Sequence, residues 1–186
     1  MYSKIKNKEN IKKLAKMDTH FTGQGRDINQ LRVINEYIRD SKTIMFVGCS
    51  TGEEIIDFQS ISNKSNLKYY GIDYDDETIK QAKKKKYFIK PKIFSADILN
   101  EDFYDKIKES AKNKSFDVVI CRNLLIYYND TLLKKIIEKL SEITKRLLVI
   151  GISDPADIIV KDEIARIGKY DFKIIDFDNR IFEKIH

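Results

Sequence analysis

Thr43-Ile44-Met45-Phe46-Val47-Gly48-Cys49-Ser50-Thr51-Gly52-Glu53-Glu54-Ile55-Ile56-Asp57-Phe58 carries a strand, a glycine turn and the start of a helix in sixteen residues. Residues 43–47 are a continuous apolar run rich in β-branched and aromatic side chains, which predicts a buried strand. Ile55, Ile56 and Phe58 supply one apolar face of a helix that begins near Gly52. Between the two stand Gly48 and Gly52, four residues apart, which let the backbone turn sharply and approach a ligand closely. The helix that follows aims its free N–H groups and the positive end of its dipole at the same place. Strand, glycine turn and helix make a cradle for a nucleotide-like ligand, although a glycine pair alone also serves ligand-free turns in many α/β proteins.

From here the pattern alternates: strand 43–47, helix 52–62, strand 67–72, helix 76–87, strand 92–96, helix 101–112, strand 116–121, helix 130–143 and strand 146–150. Strands separated by helices of this length imply right-handed crossovers and a parallel sheet. The runs Val118-Val119-Ile120 and Leu147-Leu148-Val149-Ile150 are apolar throughout, as strands covered on both faces are. A helix over 156–167 leads to two β-rich runs, 170–177 and 180–185, whose Asp178-Asn179 junction predicts a hairpin. The expected fold is a doubly wound α/β domain with a seven-stranded, mostly parallel sheet and a C-terminal antiparallel hairpin. Upstream, Ile28, Leu31, Val33, Ile34, Tyr37 and Ile38 mark a helix with Asp27 as its N-cap. Residues 1–18 read as a basic arm or short helix, and 19–186 as a single domain.

Composition agrees with this plan. A chain of 186 residues suits one domain with a real core, and 42% hydrophobic against 34% charged residues reads as soluble and globular. No apolar run reaches the ~18 residues that span a bilayer and no signal peptide is visible, so a cytoplasmic location is expected. Cys49 and Cys121 are too few for a disulfide framework, and with His20 and His186 far apart no metal-ligand spacing exists. Both cysteines read as small buried residues. Of the net charge of +6, residues 1–16 supply +5, from six lysines against Glu9, which leaves +1 elsewhere. Basicity therefore belongs to an N-terminal arm and not to an established domain face. The lysine run 83–86 reads as a solvated helix end whose cations suit the dipole.

In open α/β sheets ligands lie outside the carboxyl ends of the strands, where strand order reverses. The second strand ends Ile72-Asp73-Tyr74, with Asp73 21 positions after Gly52, the spacing at which a carboxylate accepts ribose hydroxyls. The third ends Ala96-Asp97-Ile98, where Asp97 reads equally as a helix cap or as an acceptor for an adenine amino group, with Ile98 over the ring. The fourth runs on into Arg122-Asn123-Leu124-Leu125-Ile126-Tyr127-Tyr128, beside the place of a transferred group. Taken alone, the two tyrosines read as packing residues.

Two segments, Gly48-Cys49-Ser50-Thr51-Gly52-Glu53-Glu54 and Phe116-Asp117-Val118-Val119-Ile120-Cys121-Arg122-Asn123-Leu124-Leu125-Ile126-Tyr127-Tyr128, closely resemble the signature segments of the chemotaxis-receptor glutamate methyltransferases (CheR type). The resemblance spans roughly Thr19 to Ser153 and implies S-adenosylmethionine as cofactor. It implies that Gly48, Cys49, Ser50 and Gly52 cradle the donor and that Glu53 approaches the methionine amino group. Asp73 then binds the ribose and Asp97 sits beside adenine, with Tyr74 and Ile98 next to them. Asn123 resembles the family's asparagine on the cofactor side of strand four, and Tyr127 its active-site tyrosine. In the loop after Thr19 the chain departs from the family, which places an arginine shortly after an aromatic pair; here Arg26 follows Gly23 and Gly25, and it is the residue offered as partner for the methionine carboxylate. The chain departs from the family in two further ways: about 18 residues precede Thr19, short of a helical N-terminal domain, and Lys86 to Ile93 leaves no room for a β-subdomain. Both parts are associated with engaging the receptor.

Methyl transfer from a sulfonium chiefly needs alignment and a water-poor pocket, and a carboxylate nucleophile needs no general base. That agrees with the lack of a histidine or reactive cysteine at the end of strand four, and of an Asn/Asp-Pro-Pro-aromatic segment. The expected acceptor is a protein carboxylate or a small molecule, positioned by Tyr127 and held by Arg26 or Arg122. Two other classes stay open: a non-catalytic S-adenosylmethionine-binding sensor or scaffold, and an RNA methyltransferase using residues 1–16 for phosphate contacts. A dinucleotide enzyme fits less well, because the third glycine of Gly-x-Gly-x-x-Gly is missing and Glu53-Glu54 would repel a pyrophosphate.

Overall fold

In the computed structural model, which describes residue 25 and residues 27–62, 64–151 and 171–185, the run Thr43–Val47 is the central strand β1. Around it alternate α1 (Ile28–Tyr37), α2 (Glu53–Ile61), β2 (Lys68–Asp73), α3 (Asp76–Lys84), β3 (Lys92–Ser95), α4 (Phe103–Ala111) and β4 (Phe116–Cys121). Helix α5 (Asp130–Ile143) runs without a loop into β5 (Thr144–Ile150), and β6 (Phe172–Asp176) and β7 (Ile181–Lys184) close the chain. The sheet order is β3-β2-β1-β4-β5-β7-β6, with β7 antiparallel to both β5 and β6. This is the doubly wound sheet with the closing hairpin expected from the sequence.

Side-chain alternation divides the core into two layers. Met45, Val47, Tyr70, Ile72, Val119, Cys121, Leu148 and Ile150 face α4 and α5, meeting Phe103, Ile107, Ile136 and Leu140. Ile44, Phe46, Tyr69, Val118, Ile120, Leu147 and Val149 face α1 to α3, meeting Leu31, Ile34, Ile55, Phe58 and Ile79. Strands buried on both faces explain why these runs read as continuously apolar. Each such side chain, fully buried, contributes about 1.5–3 kcal/mol relative to exposure, so the sheet is held from both sides.

Register fixes the level at which the site forms. Val47 pairs with Ile72 of β2 and with Cys121 of β4, and Cys121 pairs with Ile150 of β5. The residues that follow, Gly48, Asp73, Arg122 and Gly151, therefore emerge side by side at one edge. At the other edge, the Asp117 carboxylate accepts from the backbone N–H groups of Lys42 and Thr43 at 2.7 and 2.9 Å, which clasps β4 to β1.

Two expectations change in detail, and two others are not tested by the described residues. Asp27 stands at the N-cap position of α1 but makes no side-chain cap, because its backbone is left-handed at φ 50° and its carboxylate is engaged elsewhere. Helix α3 ends at Lys84, short of residue 87, since Lys85 turns extended at ψ 155°. The arm 1–18 and the helix over 156–167 lie outside the described residues. Among the described residues no helix is long and apolar enough to cross a membrane.

Candidate active site

The turn after β1 is built by backbone hydrogen bonds and three left-handed residues in close succession. Gly48 (φ 73°), Ser50 (φ 48°) and Gly52 (φ 88°) bend the chain, and the N–H groups of Gly48 and Cys49 both donate to the Ile72 carbonyl at 2.9 Å. At Gly52 glycine is required twice over: besides its φ, an added Cβ would lie 2.2 Å from the Tyr87 hydroxyl. Gly71 of β2 is a second close approach, where a Cβ would come within 2.9 Å of Ile55 and 3.0 Å of the Cys49 sulfur. That glycine lets α2 and the turn settle against the sheet, and nothing in the sequence reading singled it out.

Asp73 ties this turn to the end of β2. One carboxylate oxygen accepts from the Ser50 N–H at 2.9 Å and the other from the Asp75 N–H at 3.1 Å. The Asp97 carboxylate after β3 accepts from the Leu99 N–H at 2.9 Å; it closes a local turn and does not cap α4, whose N-cap position is held by Asp102. A crevice opens between these strand ends, lined by Val47, Gly48, Ile72, Asp73, Tyr74, Ala96, Asp97, Ile98, Leu124 and Tyr128. Gly48, Asp73, Tyr74, Asp97 and Ile98 were singled out by the sequence, and the fold brings them to one wall.

The crevice is electronegative. The Tyr74 hydroxyl is pushed up to about 12, first by burial and then by Asp73, Asp75 and Asp97. Tyr128 is likewise raised by burial, followed by Asp97, Cys121, Tyr74 and Asp73. Two carboxylates facing a half-dry pocket suit a ligand that brings hydroxyl and amino donors or a positive charge. Ser50 Oγ is buried in the turn with no hydrogen-bond partner among the described residues, a polar atom that a bound ligand would satisfy. Cys49 is no nucleophile: burial, then Asp73, hold its thiol well above the ordinary value.

Other sequence candidates go elsewhere. The Glu53 carboxylate is taken by Lys85 and by the Thr51 hydroxyl, so it faces the end of α3 and not the crevice. Burial raises its pKa, but these hydrogen bonds outweigh that effect and the net shift is downward. Arg122 does not open to solvent as an acceptor clamp would. Its side chain is 1% exposed, and its guanidinium pairs with Asp27 at 3.1 Å and Glu54 at 3.3 Å, because the end of β4 lies under both α1 and α2. Asn123 sits at φ 57°, a left-handed position that asparagine tolerates better than most residues. Its backbone nitrogen would lie 2.8 Å from a Cβ at position 151, which makes Gly151 its necessary neighbour. Tyr127 ends a 3-10 turn, Leu125–Tyr127, and packs against the α4–α5 side of the core; the next residue, Tyr128, lines the crevice instead. The tight turn decides which tyrosine faces in, and no periodicity in the sequence reports it. Leu124 was missed for the same reason. Arg26 lies outside the described residues, and among the described residues no three metal-ligating side chains group together.

Comparison with known proteins fits this geometry. Residues 38–176 match the family model described as "Methyltransferase domain", and the chain belongs to this family of S-adenosylmethionine-dependent methyltransferases. No curated protein sequence matches significantly. Among solved structures, the magnesium protoporphyrin IX methyltransferase ChlM from Synechocystis PCC 6803 with bound SAM is 15% identical, with a TM-score of 0.61 over 85% of this chain and 76% of that one. The plantazolicin methyltransferase BpumL, in complex with a pentazolic desmethylPZN analogue and SAH, is 15% identical, with a TM-score of 0.53 over 88% of this chain and 67% of that one. The sugar N-methyltransferase KedS8 from Streptoalloteichus sp ATCC 53650 is 18% identical, with a TM-score of 0.53 over 73% and 51%. At these identities the likeness is one of fold, that of the class I methyltransferases.

Proposed function

We propose that this chain transfers a methyl group from S-adenosylmethionine to a carboxylate oxygen, as its resemblance to the CheR-type enzymes suggests. The observation that carries the donor half is the electronegative crevice at the reversal of strand order, with Asp73 on the ribose side, Asp97 and Ile98 on the adenine side, and the glycine turn at the methionine side. The bound donor supplies an electrophilic methyl on a positively charged sulfur. What the chain supplies is alignment: Asp73 locks the Ser50 turn, and Leu124 and Tyr128 close the far wall against water. The acceptor half rests on what the wall is made of. Among the described residues that line it there is no imidazole and no thiol, and the Tyr128 hydroxyl is held protonated by burial and by Asp97. An acceptor that arrives already ionised, a carboxylate, needs none of these as a base.

The test uses the methyl-labelled donor with cell extract. Carboxyl methyl esters release the label as methanol in mild alkali, whereas methylated amines and ring nitrogens keep it. Alkali-labile label in protein or small molecules is the expected result; alkali-stable label overturns the carboxylate assignment. Asp73→Asn should weaken donor binding by about tenfold, the loss of one charge-assisted hydrogen bond worth about 1.5 kcal/mol. Unchanged donor affinity in that variant would overturn the placement of the donor.

A further inference from the structure

We infer that the face made by the end of α3, the connecting segment 85–91 and the start of β3 is a docking surface for single-stranded RNA. From Thr78 to Ala96 the chain carries seven lysines and no aspartate or glutamate. That span holds +7 against +6 for the whole chain, so every other residue together sums to −1. The excess charge of this protein is therefore expressed on a described face of the domain as well as in its N-terminal arm.

The segment presents its side chains by alternation. Lys84, Lys86, Phe88, Lys90 and Lys92 are exposed, while Lys85, Tyr87, Ile89, Pro91 and Ile93 between them are partly or wholly buried. The inward set is anchored. Lys85 pairs with Glu53, the Tyr87 hydroxyl donates to the Ala82 carbonyl at 2.9 Å, and the buried Gln59 binds the backbone of Phe88 and Ile89. Gln59 accepts from both N–H groups at 3.0 and 3.2 Å and donates back to the Ile89 carbonyl at 2.7 Å. A segment with neither helix nor strand is thus held in one conformation, and its outward residues need little further ordering on binding.

Within the span, Lys80 pairs with Glu77 and Lys85 with Glu53; among the described residues no ion pair engages Lys83, Lys84, Lys86, Lys90 or Lys92. Phe88 is 76% exposed in the middle of this row of cations. Lysines flanking an open aromatic ring are the composition of single-strand sites, in which cations meet phosphates and a ring stacks on an unpaired base. A duplex buries its base faces and an acidic peptide gives the ring nothing to stack on, so the aromatic selects a single strand. β3 is the edge strand of the sheet, and its carboxyl end leads into Ala96, Asp97 and Ile98 of the crevice wall. The docked strand need not be the methyl acceptor, so the inference stands or falls apart from the carboxylate reading.

The test is fluorescence anisotropy of the full chain with a labelled, mixed-sequence RNA of about 12 nucleotides, within the range of single-strand sites, over a series of salt concentrations. Phe88→Ala should weaken binding by about 5- to 150-fold with an unchanged salt slope, the worth of one stacked base. The triple variant Lys86→Ser, Lys90→Ser, Lys92→Ser should lower the salt slope by about 2, at about 0.7 per phosphate contact on a single strand. Donor binding, measured by calorimetry on the same variants, should not change. RNA binding untouched by both variants would assign it to the N-terminal arm and overturn the inference. So would competition by polyglutamate as effective as by RNA, with Phe88→Ala inert, which would assign the face to an acidic peptide.

Discussion

Arg122→Met separates two roles that the sequence could not. If the guanidinium holds structure, its loss takes a cationic partner from Asp27 at the start of α1 and from Glu54 in the first turn of α2, both now facing a methionine. Breaking a buried ion pair from one side costs about 3–5 kcal/mol. Here the two carboxylates keep 32% and 26% side-chain exposure, so they remain partly hydrated, and methionine replaces most of the packing of the arginine stem. The expected loss is about 2–4 kcal/mol, read by urea unfolding, with a fall in Tm of about 5–15 °C for a domain of this size. Arg122→Lys should recover only part of this, since one ammonium cannot fork between partners on two helices. A double-mutant cycle with Asp27→Asn should show a coupling of about 1 kcal/mol or more. An Arg122→Met protein as stable as the wild type, yet unable to turn over an identified acceptor, would refute this reasoning and return the guanidinium to the substrate.

Two further outcomes follow from the turn. Gly52→Ala should cost about 2–3 kcal/mol in urea unfolding: about 1–2 for a side chain in left-handed backbone and about 1 for the Tyr87 hydrogen bond that the new Cβ displaces. In a Tyr87→Phe background the same change should cost about 1 kcal/mol less, and an equal cost in both backgrounds would refute the contact. Lys85→Met tests the pH behaviour of Glu53, whose folded-state carboxyl lies below its ordinary 4.5. A depressed carboxylate contributes stability that is present above the unfolded value and lost as pH falls through the folded one. The variant should therefore be less stable than the wild type by about 1 kcal/mol near pH 7, and the difference should vanish well below pH 4.5; a gap that persists in acid would refute it.

The sheet and its helices were legible because their physics is local. Residues 118–120 and 147–150 are apolar at every position because both faces of the sheet are covered, and the two layers of core observed are what that pattern requires. Strand ends were legible for the same reason: Asp73 and Asp97 are the first acidic residues after apolar runs, and the register places both at one edge. The side-chain directions beyond the strand ends were not. Whether Tyr127 or Tyr128 faces the crevice depends on a 3-10 turn of three residues, and whether Arg122 meets an acceptor or Asp27 depends on where the start of α1 stands beside the end of β4. Asn123 shows the limit of reading a motif as chemistry, since its left-handed backbone is already a reason for asparagine to stand there.

The electrostatics of the crevice bear on the order in which reactants bind. Asp73 and Asp97 give the site a negative field strong enough to raise the hydroxyls of Tyr74 and Tyr128, after burial has done the larger part. A cationic donor gains from that field, while a carboxylate acceptor entering the same crevice alone would be repelled by it. With the sulfonium in place, the local charge next to the transferred methyl is offset and the repulsion falls. On the proposed carboxylate reading, the acceptor would therefore enter this pocket only after the donor is bound. The wall formed by Leu124 and Tyr128, apolar and without a formal charge, is the side of the crevice where its approach costs least.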